Sequence, residues 1–263
     1  MAKVAVVTGG SSGIGLETAK CLARRGCRVY ELSRRDSDVP GIVHISADVS
    51  DETSVNAAVN EILRREGRID ILINNAGFGI SGAVEFTETA DARALMDVNF
   101  FGVVNATRAV LGPMREKGGG RILNLSSVAA TVPIPFQSYY SVSKAAINSF
   151  TMALANEVAP FGISVCAVMP GDIRTGFTRA RVKRHEGDDI YGGRIARSVA
   201  VMEKDEMEGL PPEKAAEFIC RIALKEKVKP LYAIGLKYKF FVWLSGVLPP
   251  GLVNKIVGSL YAK

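Results

Sequence analysis

Continuous apolar segments alternate with amphipathic ones along most of the chain. Six apolar runs are typical of strands buried on both faces of a parallel sheet. They cover residues 4–7, 28–32, 42–46, 69–73, 121–125 and 163–169. Between them, apolar side chains recur with the helical period at residues 14–25, 52–65, 91–116 and 139–159. This alternation predicts an α/β fold with a doubly wound, mostly seven-stranded parallel sheet and helices on both faces.

The pattern becomes less regular in the last third of the chain. Residues 172–209 are charged and irregular, whereas residues 211–224 predict a helix and residues 231–235 a last strand. The segment 236–263 is apolar and aromatic, with interspersed lysines. Without repeats, low-complexity tracts or a long linker, the 263 residues are expected to form a single domain. Within it, we expect residues 176–209 to be a substrate lid and 236–263 a C-terminal extension.

Composition narrows the classes of function. No uncharged apolar run reaches the ~18 residues of a membrane span, and no removable signal peptide fits before the first strand, so we expect a cytoplasmic protein. The four cysteines and two histidines lack ligand spacing, and no metal site is expected. Residues 174–263 hold 17 basic and 10 acidic side chains, and this part would meet any anionic partner. Nucleic acid is not expected, because paired aromatic platforms and a groove-reading helix are lacking.

A glycine-rich turn joins the first strand to the first helix. Residues 8–15 read Thr-Gly-Gly-Ser-Ser-Gly-Ile-Gly. Glycines allow a tight turn and a close approach of the backbone to a pyrophosphate, which the N–H groups at the start of the helix attract. The turn predicts a nucleotide site, although many Gly/Ser-rich turns are surface loops. The residues that we assign to this site are Gly9, Ser11, Ser12, Gly13, Ile14 and Gly15.

The spacing Thr-Gly-x-x-x-Gly-x-Gly resembles the short-chain dehydrogenase/reductase family. The resemblance continues with Asn-Asn-Ala-Gly at residues 74–77 and with Tyr140-x-x-x-Lys144, and it covers residues 3–235. It implies a Rossmann fold, a nicotinamide dinucleotide, and hydride transfer between a ketone and a secondary alcohol. Beyond the glycine turn, it also implies further cofactor contacts at Asp48, Val49, Asn75, Ala76, Gly77, Pro170, Gly171, Ile173 and Thr175.

The end of the second strand selects the dinucleotide in this family. NAD-type relatives carry an acid there for the ribose 2′-hydroxyl, and this chain has Ser33. Arg34 offers a planar fork to a 2′-phosphate, so we expect NADP(H) in preference to NAD(H). The alternative is that Arg34 and Arg35 form a solvated turn. Ser12 replaces a basic residue of some NADP-using relatives, and Glu31 should point to the same side as Ser33.

Four residues are expected to carry the chemistry. Reduction of a ketone leaves an oxygen that needs a proton, and Tyr140 can donate it. Lys144 lies four residues on, close on the same face of a helix, where its ammonium should lower the pKa of Tyr140, whereas Tyr139 points elsewhere. By the resemblance, Lys144 and Tyr140 also contact the cofactor, Ser127 donates to the substrate oxygen, and Asn99 holds a water of the proton relay. A lone Tyr-x-x-x-Lys is usually a surface pair, so the joint occurrence supports this assignment.

The substrate end is expected to have an apolar wall. The residues that we assign to it are Val132, Ile134, Phe136, Met169 and Phe177. Residues 132–144, 162–177 and 244–253 most resemble the hydroxysteroid and retinol dehydrogenase branch. That likeness implies a small lipophilic carbonyl or alcohol substrate, such as a steroid, and a homodimer or homotetramer.

Two other functions stay open at this point. A 3-oxoacyl-thioester reductase would use basic residues to dock an acidic carrier protein, and Arg179, Arg181, Lys183 and Arg184 form such a cluster. The other is a catalytically silent NADP(H)-binding regulatory protein, which would need the cofactor site but not all four catalytic residues.

The aromatic tail allows two interpretations. Its aromatic and basic residues are compatible with peripheral contact to a membrane. The favoured alternative is that they pack on the domain, cover the cleft or form a subunit contact. The residues concerned are Lys237, Tyr238, Lys239, Phe240, Phe241, Trp243, Leu244 and Lys255.

Overall fold

Seven parallel strands form the central sheet of the computed structural model, which describes residues 2–262. They are β1 (Val4–Thr8), β2 (Arg28–Ser33), β3 (Ile42–Ser46), β4 (Ile71–Asn74), β6 (Gly120–Leu125), β7 (Ile163–Met169) and β9 (Leu231–Ala233). Two short strands, β5 (Ile80–Ser81) and β8 (Val182–Lys183), pair with each other apart from this sheet.

The order of the strands creates a crevice at the centre of the sheet. The strands lie in the order β3-β2-β1-β4-β6-β7-β9, and all neighbours are parallel. From β1 the chain first builds outward through β2 and β3, and then returns to place β4 on the other side of β1. Ligands of doubly wound sheets bind at this switch, beyond the carboxyl ends of the strands. The predicted Rossmann fold with a seven-stranded parallel sheet is confirmed.

Helices cover both faces of the sheet and give each face its own apolar layer. Val6 and Leu72 belong to one layer, and their chain neighbours Val7 and Ile73 belong to the other. Because side chains alternate along a strand, burial on both faces requires the continuous apolar runs. Helices α2 (Glu52–Glu66), α4 (Gly102–Glu116) and α5 (Ser138–Val158) pack on the first layer, and α1 (Gly13–Arg24) and α8 (Pro212–Leu224) on the second.

The helix predicted over residues 91–116 is interrupted. Helix α3 (Thr89–Met96) and α4 are joined by a π-helical turn, Asp97–Phe101. Asn99 in this turn is fully buried, and its carboxamide bonds the main-chain N–H and C=O of Phe78. A π turn accommodates one extra residue, so the apolar period on either side does not reveal it.

Residues 172–209, predicted to be irregular, contain helices α6 (Phe177–Ala180) and α7 (Arg194–Met207). Helix α7 buries Ile195, Val199 and Met202, which recur at helical spacing among many charged residues. The surrounding charges obscured this stripe in the sequence. Two of the basic residues, Arg181 and Lys183, pair with Glu206 and Glu203 of α7.

The C-terminal segment forms two helices, α9 (Leu236–Val247) and α10 (Pro250–Tyr261). Helix α9 follows β9 directly and therefore starts at the carboxyl edge of the sheet, where the crevice lies. Helix α10 returns to pack against α7. Neither is long enough to cross a bilayer, and no helix within residues 2–262 combines the length and the hydropathy that crossing requires.

Gly15→Ala is predicted to destabilise the fold, because the close approach of the glycine turn to β4 leaves no room for a side chain. A Cβ at Gly15 would lie 2.3 Å from the Gly9 carbonyl oxygen and 2.4 Å from Asn75 Nδ2. We expect a loss of about 1–3 kcal/mol in the free energy of unfolding, measured in urea.

The matched control is Gly112→Ala in α4, where a Cβ would meet no atom within 4 Å. Alanine favours the helix, so the free energy of unfolding of this variant should equal or exceed that of the wild type. Equal losses in the two variants would contradict the assignment.

Candidate active site

A cavity of about 1400 Å³ opens beyond the carboxyl ends of the central strands. Pockets for a single small molecule usually hold about 300–1,000 Å³, so this one has room for two ligands. Most of the residues assigned from the sequence line it: Gly9, Ser11, Ser12, Gly13, Ile14, Ser33, Arg34, Asp48, Val49, Asn75, Ala76, Gly77, Ser127, Val132, Ile134, Tyr140, Lys144, Pro170, Gly171, Ile173, Thr175 and Phe177. Gly15 and Asn99 are buried beside it.

The glycine turn is fixed to the end of β4 by a network of hydrogen bonds. The Asn75 carboxamide donates to the carbonyl oxygens of Thr8 and Gly9 at 3.0 and 3.1 Å. The Thr8 hydroxyl accepts from the main-chain N–H groups of Asn75 and Ala76. Gly9 and Gly13 have φ values of 64° and 55°, which side chains disfavour. This geometry opens the start of α1 toward the cavity, as a pyrophosphate requires.

Arg34 is exposed at the polar end of the cavity. Its guanidinium lies 3.8 Å from the Asp48 carboxylate, and 74% of its side chain is accessible. A hydrogen bond from Ser50 lowers the pKa of Asp48 from its ordinary value, and the charge of Arg34 contributes in the same direction. Arg34 therefore keeps donors available for an anionic ligand.

Glu31 points to the same side as Ser33, as expected, but it does not compete for the cavity. Its buried carboxylate accepts from the Ser33 hydroxyl at 3.2 Å and pairs with the imidazole of His44. Burial and these partners hold the acid below the surface of the site, so it does not present a charge to a ribose.

Tyr140, Lys144 and Ser127 meet in the middle of the cavity. The Lys144 ammonium donates to the carbonyl oxygen of Leu125 at 2.8 Å and lies 5.6 Å from the centre of the Tyr140 ring. Ser127 begins a short 3₁₀ turn, its hydroxyl accepts from the main-chain N–H of Ala129 at 3.1 Å, and it lies close enough to Tyr140 to act on the pKa of the phenol. Ser126 is turned away, and its hydroxyl donates to the main-chain carbonyl of Lys144.

The predicted lowering of the Tyr140 pKa is wrong for this structure. Burial raises the pKa of Tyr140 to about 12, and the opposing hydrogen bond with Ser127 is weaker than this effect. Burial also lowers the pKa of Lys144 to about 8. Proximity on the helix gave the wrong sign because loss of hydration outweighs attraction between the two groups, and because the ammonium bonds a carbonyl instead of the phenol oxygen.

The Asn99 side chain acts as a clamp: its hydrogen bonds hold the π-helical turn to Phe78 and to helix α5. Besides its bonds to Phe78, its amide donates to the Ser143 hydroxyl at 3.2 Å. Both amide hydrogens are thus engaged, so a relay water at this position would have to donate to the second lone pair of the Asn99 side-chain oxygen or bond a main-chain atom.

Two residues predicted to line the substrate end lie elsewhere. Phe136 packs edge-to-face on Tyr191, with ring centres 5.7 Å apart, and its positive φ of 59° turns it out of the predicted wall. Met169 is 2% exposed and packs below the site, where its sulfur contacts Asn148. Sequence position gave proximity to Tyr140 and Pro170, but it could not give the direction of these side chains.

The tail supplies much of the substrate end. The apolar and aromatic residues of α9, α10 and the turn between them that line the cavity are Tyr238, Phe241, Leu244, Leu248, Val253, Ile256, Val257, Leu260 and Tyr261. Tyr238 packs on the bare backbone of Gly171, where a Cβ would lie 2.3 Å from the ring, and its hydroxyl donates to Asp172. The sequence signalled the apolar character of the tail, but the individual contacts were missed.

The basic cluster proposed as a protein dock is largely used within the fold. Arg181 is buried and pairs with Glu206, which lines the cavity and also accepts from Thr178 at 2.6 Å. Lys183 pairs with Glu203, and Arg184 pairs with Asp91. These ion pairs remove the main observation that favoured a carrier-protein partner.

Comparisons with known proteins agree with this geometry. A family model described as short chain dehydrogenase matches residues 3–186. The 3-ketodihydrosphingosine reductase of Bacteroides thetaiotaomicron is 42% identical over 99% of this chain and 98% of its own. A short-chain dehydrogenase from Streptomyces avermitilis has the same fold, with a TM-score of 0.83, 32% identity and coverage of 99% and 95% of the two chains.

Two similar structures contain different dinucleotides. ElxO with NADP bound has a TM-score of 0.77 and 26% identity, and the match covers 91% of this chain and all of that one. The 3-ketoacyl-(acyl-carrier-protein) reductase from Brucella melitensis, complexed with NADH, has a TM-score of 0.75 and 29% identity over 88% and 96% of the chains. The likeness therefore extends to a nicotinamide cofactor but leaves the choice between NADP and NAD to the residues at the site.

Glu206→Gln is predicted to destabilise the protein strongly, because it leaves the buried charge of Arg181 unpaired. The Arg181 side chain is 0% exposed, and loss of one partner of such a pair costs about 3–5 kcal/mol. Urea unfolding measures the loss.

Glu203→Gln, on the same helix, is the control. It breaks a bridge to the partly exposed Lys183 and should cost less than about 1 kcal/mol. Similar losses in both variants would show that burial of Arg181 is not the determinant.

Proposed function

Since the chain belongs to the short-chain dehydrogenase/reductase family, we propose that it uses NADP(H) to reduce the ketone of a long-chain lipid. It is an oxidoreductase that acts on a CH–OH or C=O group. The observation that carries the proposal is the position of Tyr140 in the cavity, between a polar end with the glycine turn and Arg34 and an apolar end lined by residues of α9 and α10. We take a 3-keto sphingoid base as the first candidate substrate, because the 42% identical relative bears that activity in its name.

The residues at the polar end fit a dinucleotide. The start of α1 lines the cavity, where its N–H groups can bind a pyrophosphate, and Thr175 lies beside the glycine turn, 3.5 Å from the position that a Cβ on Gly13 would take. We propose that Thr175 and the main chain near Pro170 and Gly171 hold the nicotinamide, and that Asp48 and Val49 hold the adenine. The nicotinamide, when bound, supplies the hydride.

Tyr140 is proposed as the acid that protonates the reduced oxygen. A pKa near 12 keeps the phenol protonated at neutral pH, as proton donation to a ketone requires. Ser127 donates a hydrogen bond to the same oxygen as negative charge develops there. Lys144 holds the nicotinamide ribose, and its ammonium stabilises the phenolate that remains after transfer. Asn99 is a positioning residue, because its clamp fixes the turn beside Gly77, where a Cβ would lie 2.9 Å from Asn99 Oδ1.

The pocket beyond Tyr140 favours an extended amphiphile. Phe177 packs on the Tyr140 ring with centres 5.7 Å apart, and the tail helices continue this apolar surface to the protein exterior. The carboxylates of Asp172 and Glu206 lie at the inner end. A long alkyl chain would follow the apolar wall, while a polar head group would lie near these acids. A carrier-bound thioester is less well supported, because the basic residues expected to dock its carrier are paired within the fold.

Arg34→Ser is predicted to weaken NADPH binding by about tenfold to a hundredfold, because a charge-assisted hydrogen bond to the 2′-phosphate is lost. NADH binding should change little, and titration of the nicotinamide fluorescence measures both. Arg35→Ser is the neighbouring control and should have the smaller effect. An equal loss for NADPH and NADH would contradict a role at the 2′-phosphate.

The reaction is tested by oxidation of NADPH, followed by absorbance, with 3-ketodihydrosphingosine, a ketosteroid and an acetoacetyl thioester. We expect the sphingoid ketone to be reduced fastest. Tyr140→Phe should lower turnover about 10²–10⁴-fold while NADPH still binds, because only the proton donor is lost.

Tyr139→Phe, one residue earlier on the same helix, should keep activity. Reduction of the thioester alone would refute the lipid proposal. A Tyr140→Phe variant as active as the wild type would refute the proposed acid, and a lack of turnover with all three ketones despite NADPH binding would favour a regulatory protein.

A further inference from the structure

Exposed apolar side chains are concentrated on the two C-terminal helices. Among residues 2–262, sixteen large apolar side chains are exposed, and eight of these lie on α9 and α10. Scattered exposed apolar residues are normal on soluble proteins, but a contiguous group marks an interaction surface.

Four of these residues form a single line on α9, which we name the outer stripe. Leu236, Phe240, Trp243 and Val247 recur at helical spacing and fall within an arc of about 60°. They are 84%, 52%, 61% and 60% exposed, respectively. The opposite face of α9 carries the cavity-lining Tyr238 and Phe241. The helix therefore has one apolar face used by the pocket and a second one that no part of residues 2–262 covers.

The unpartnered surface continues to the mouth of the cavity. On α10, Leu252, Ile256 and Leu260 recur every four residues and are 46%, 42% and 57% exposed. Ile256 and Leu260 also line the cavity, as does the partly exposed Phe241 of α9. The pocket thus opens between two helices whose exposed sides are apolar.

The charges that α9 and α10 themselves carry are all positive. Residues 236–261 contain three lysines and no acidic residue. Lys239 and Lys255 are exposed, and each lies about 60° around its helix from an exposed apolar residue of the surface. An apolar face flanked by lysines, with a tryptophan in it, matches the interface of an anionic lipid bilayer.

We infer that α9 and α10 dock on the surface of an anionic lipid bilayer through the outer stripe and the rim of the cavity. Each helix has 12 residues, or about 18 Å, too short to cross a hydrocarbon core of about 30 Å, so both lie along the interface. A second copy of the chain fits less well, because a symmetric contact through this face would bring like charges together. Direct entry of a lipid substrate from the bilayer rests on the proposed function; the docking itself does not.

Trp243 reports on this docking directly, because it is the single tryptophan of the chain and lies on the outer stripe. The full chain is mixed with vesicles of phosphatidylcholine, with or without phosphatidylserine. We expect a blue shift of Trp243 fluorescence and sedimentation with the vesicles that contain phosphatidylserine, both reduced by salt. Emission that does not shift, with the protein left in the supernatant of both kinds of vesicle, would overturn the inference.

Phe240→Glu leaves Trp243 in place as the reporter. It should lower partitioning onto vesicles at least about tenfold, because an aromatic side chain that enters the bilayer interface is replaced by a charged one. Lys239→Gln with Lys255→Gln should lower it about fivefold for each lysine, on anionic vesicles only. The control is Phe161→Glu. Phe161 is an aromatic residue that is 44% exposed, and it lies just before β7, at the end of the strands opposite to the cavity. Equal losses in Phe240→Glu and Phe161→Glu would contradict docking through the stripe.

The oligomeric state, measured without lipid, tests the alternative that a second copy of the chain covers this surface. Dissociation of an oligomer by Phe240→Glu, with no binding of the wild type to vesicles, would assign this face to a second copy and refute the bilayer. Reduction of a detergent-dispersed ketone tests the proposed function separately, since Phe240→Glu leaves the cavity lining unchanged and should retain it.

Discussion

The contact between the glycine turn and the end of β4 is the constraint on which the site depends. Thr8 and Asn75 exchange hydrogen bonds across the point where the order of the strands switches, and Gly15 gives the turn room to approach. This contact fixes the carboxyl ends of β1 and β4 relative to each other, and it thereby positions the crevice beyond them. The start of α1 and the segment around Gly77 are then held on either side of the crevice, and the remaining site residues are placed by neighbouring strands.

Burial within this crevice shifts the pKa values of Tyr140 and Lys144 in opposite directions. Tyr140 holds its proton more tightly than a free phenol, and Lys144 holds its proton less tightly than a free amine. Both shifts disfavour charge on groups that folding removes from part of their contact with water. A bound dinucleotide adds its own charge and hydrogen bonds, so the protein alone provides a resting state with a neutral acid.

The sequence was most informative where one physical requirement dominates. Burial on both faces makes strands such as β1 recognisable, and the glycine turn needs its particular spacing. It was least informative where competing effects had to be weighed. Periodicity missed the π turn at Asn99, charge concealed the buried stripe of α7, and helical proximity gave the wrong sign for the Tyr140 pKa. The directions of Phe136 and Met169 depend on packing partners distant in sequence, which no local pattern contains.

The contact of Tyr238 with Gly171 links the tail to the floor of the site. The aromatic ring occupies the space that a side chain at residue 171 would fill, and its hydroxyl reaches the next residue, Asp172. Exchange of C-terminal segments between relatives is therefore constrained. A chimera that replaces α9 with a helix lacking an aromatic residue at this point would leave a void beside the Pro170–Gly171 turn and an unpaired carboxylate. The modular unit for engineering a new pocket is the tail together with this turn, not the tail alone.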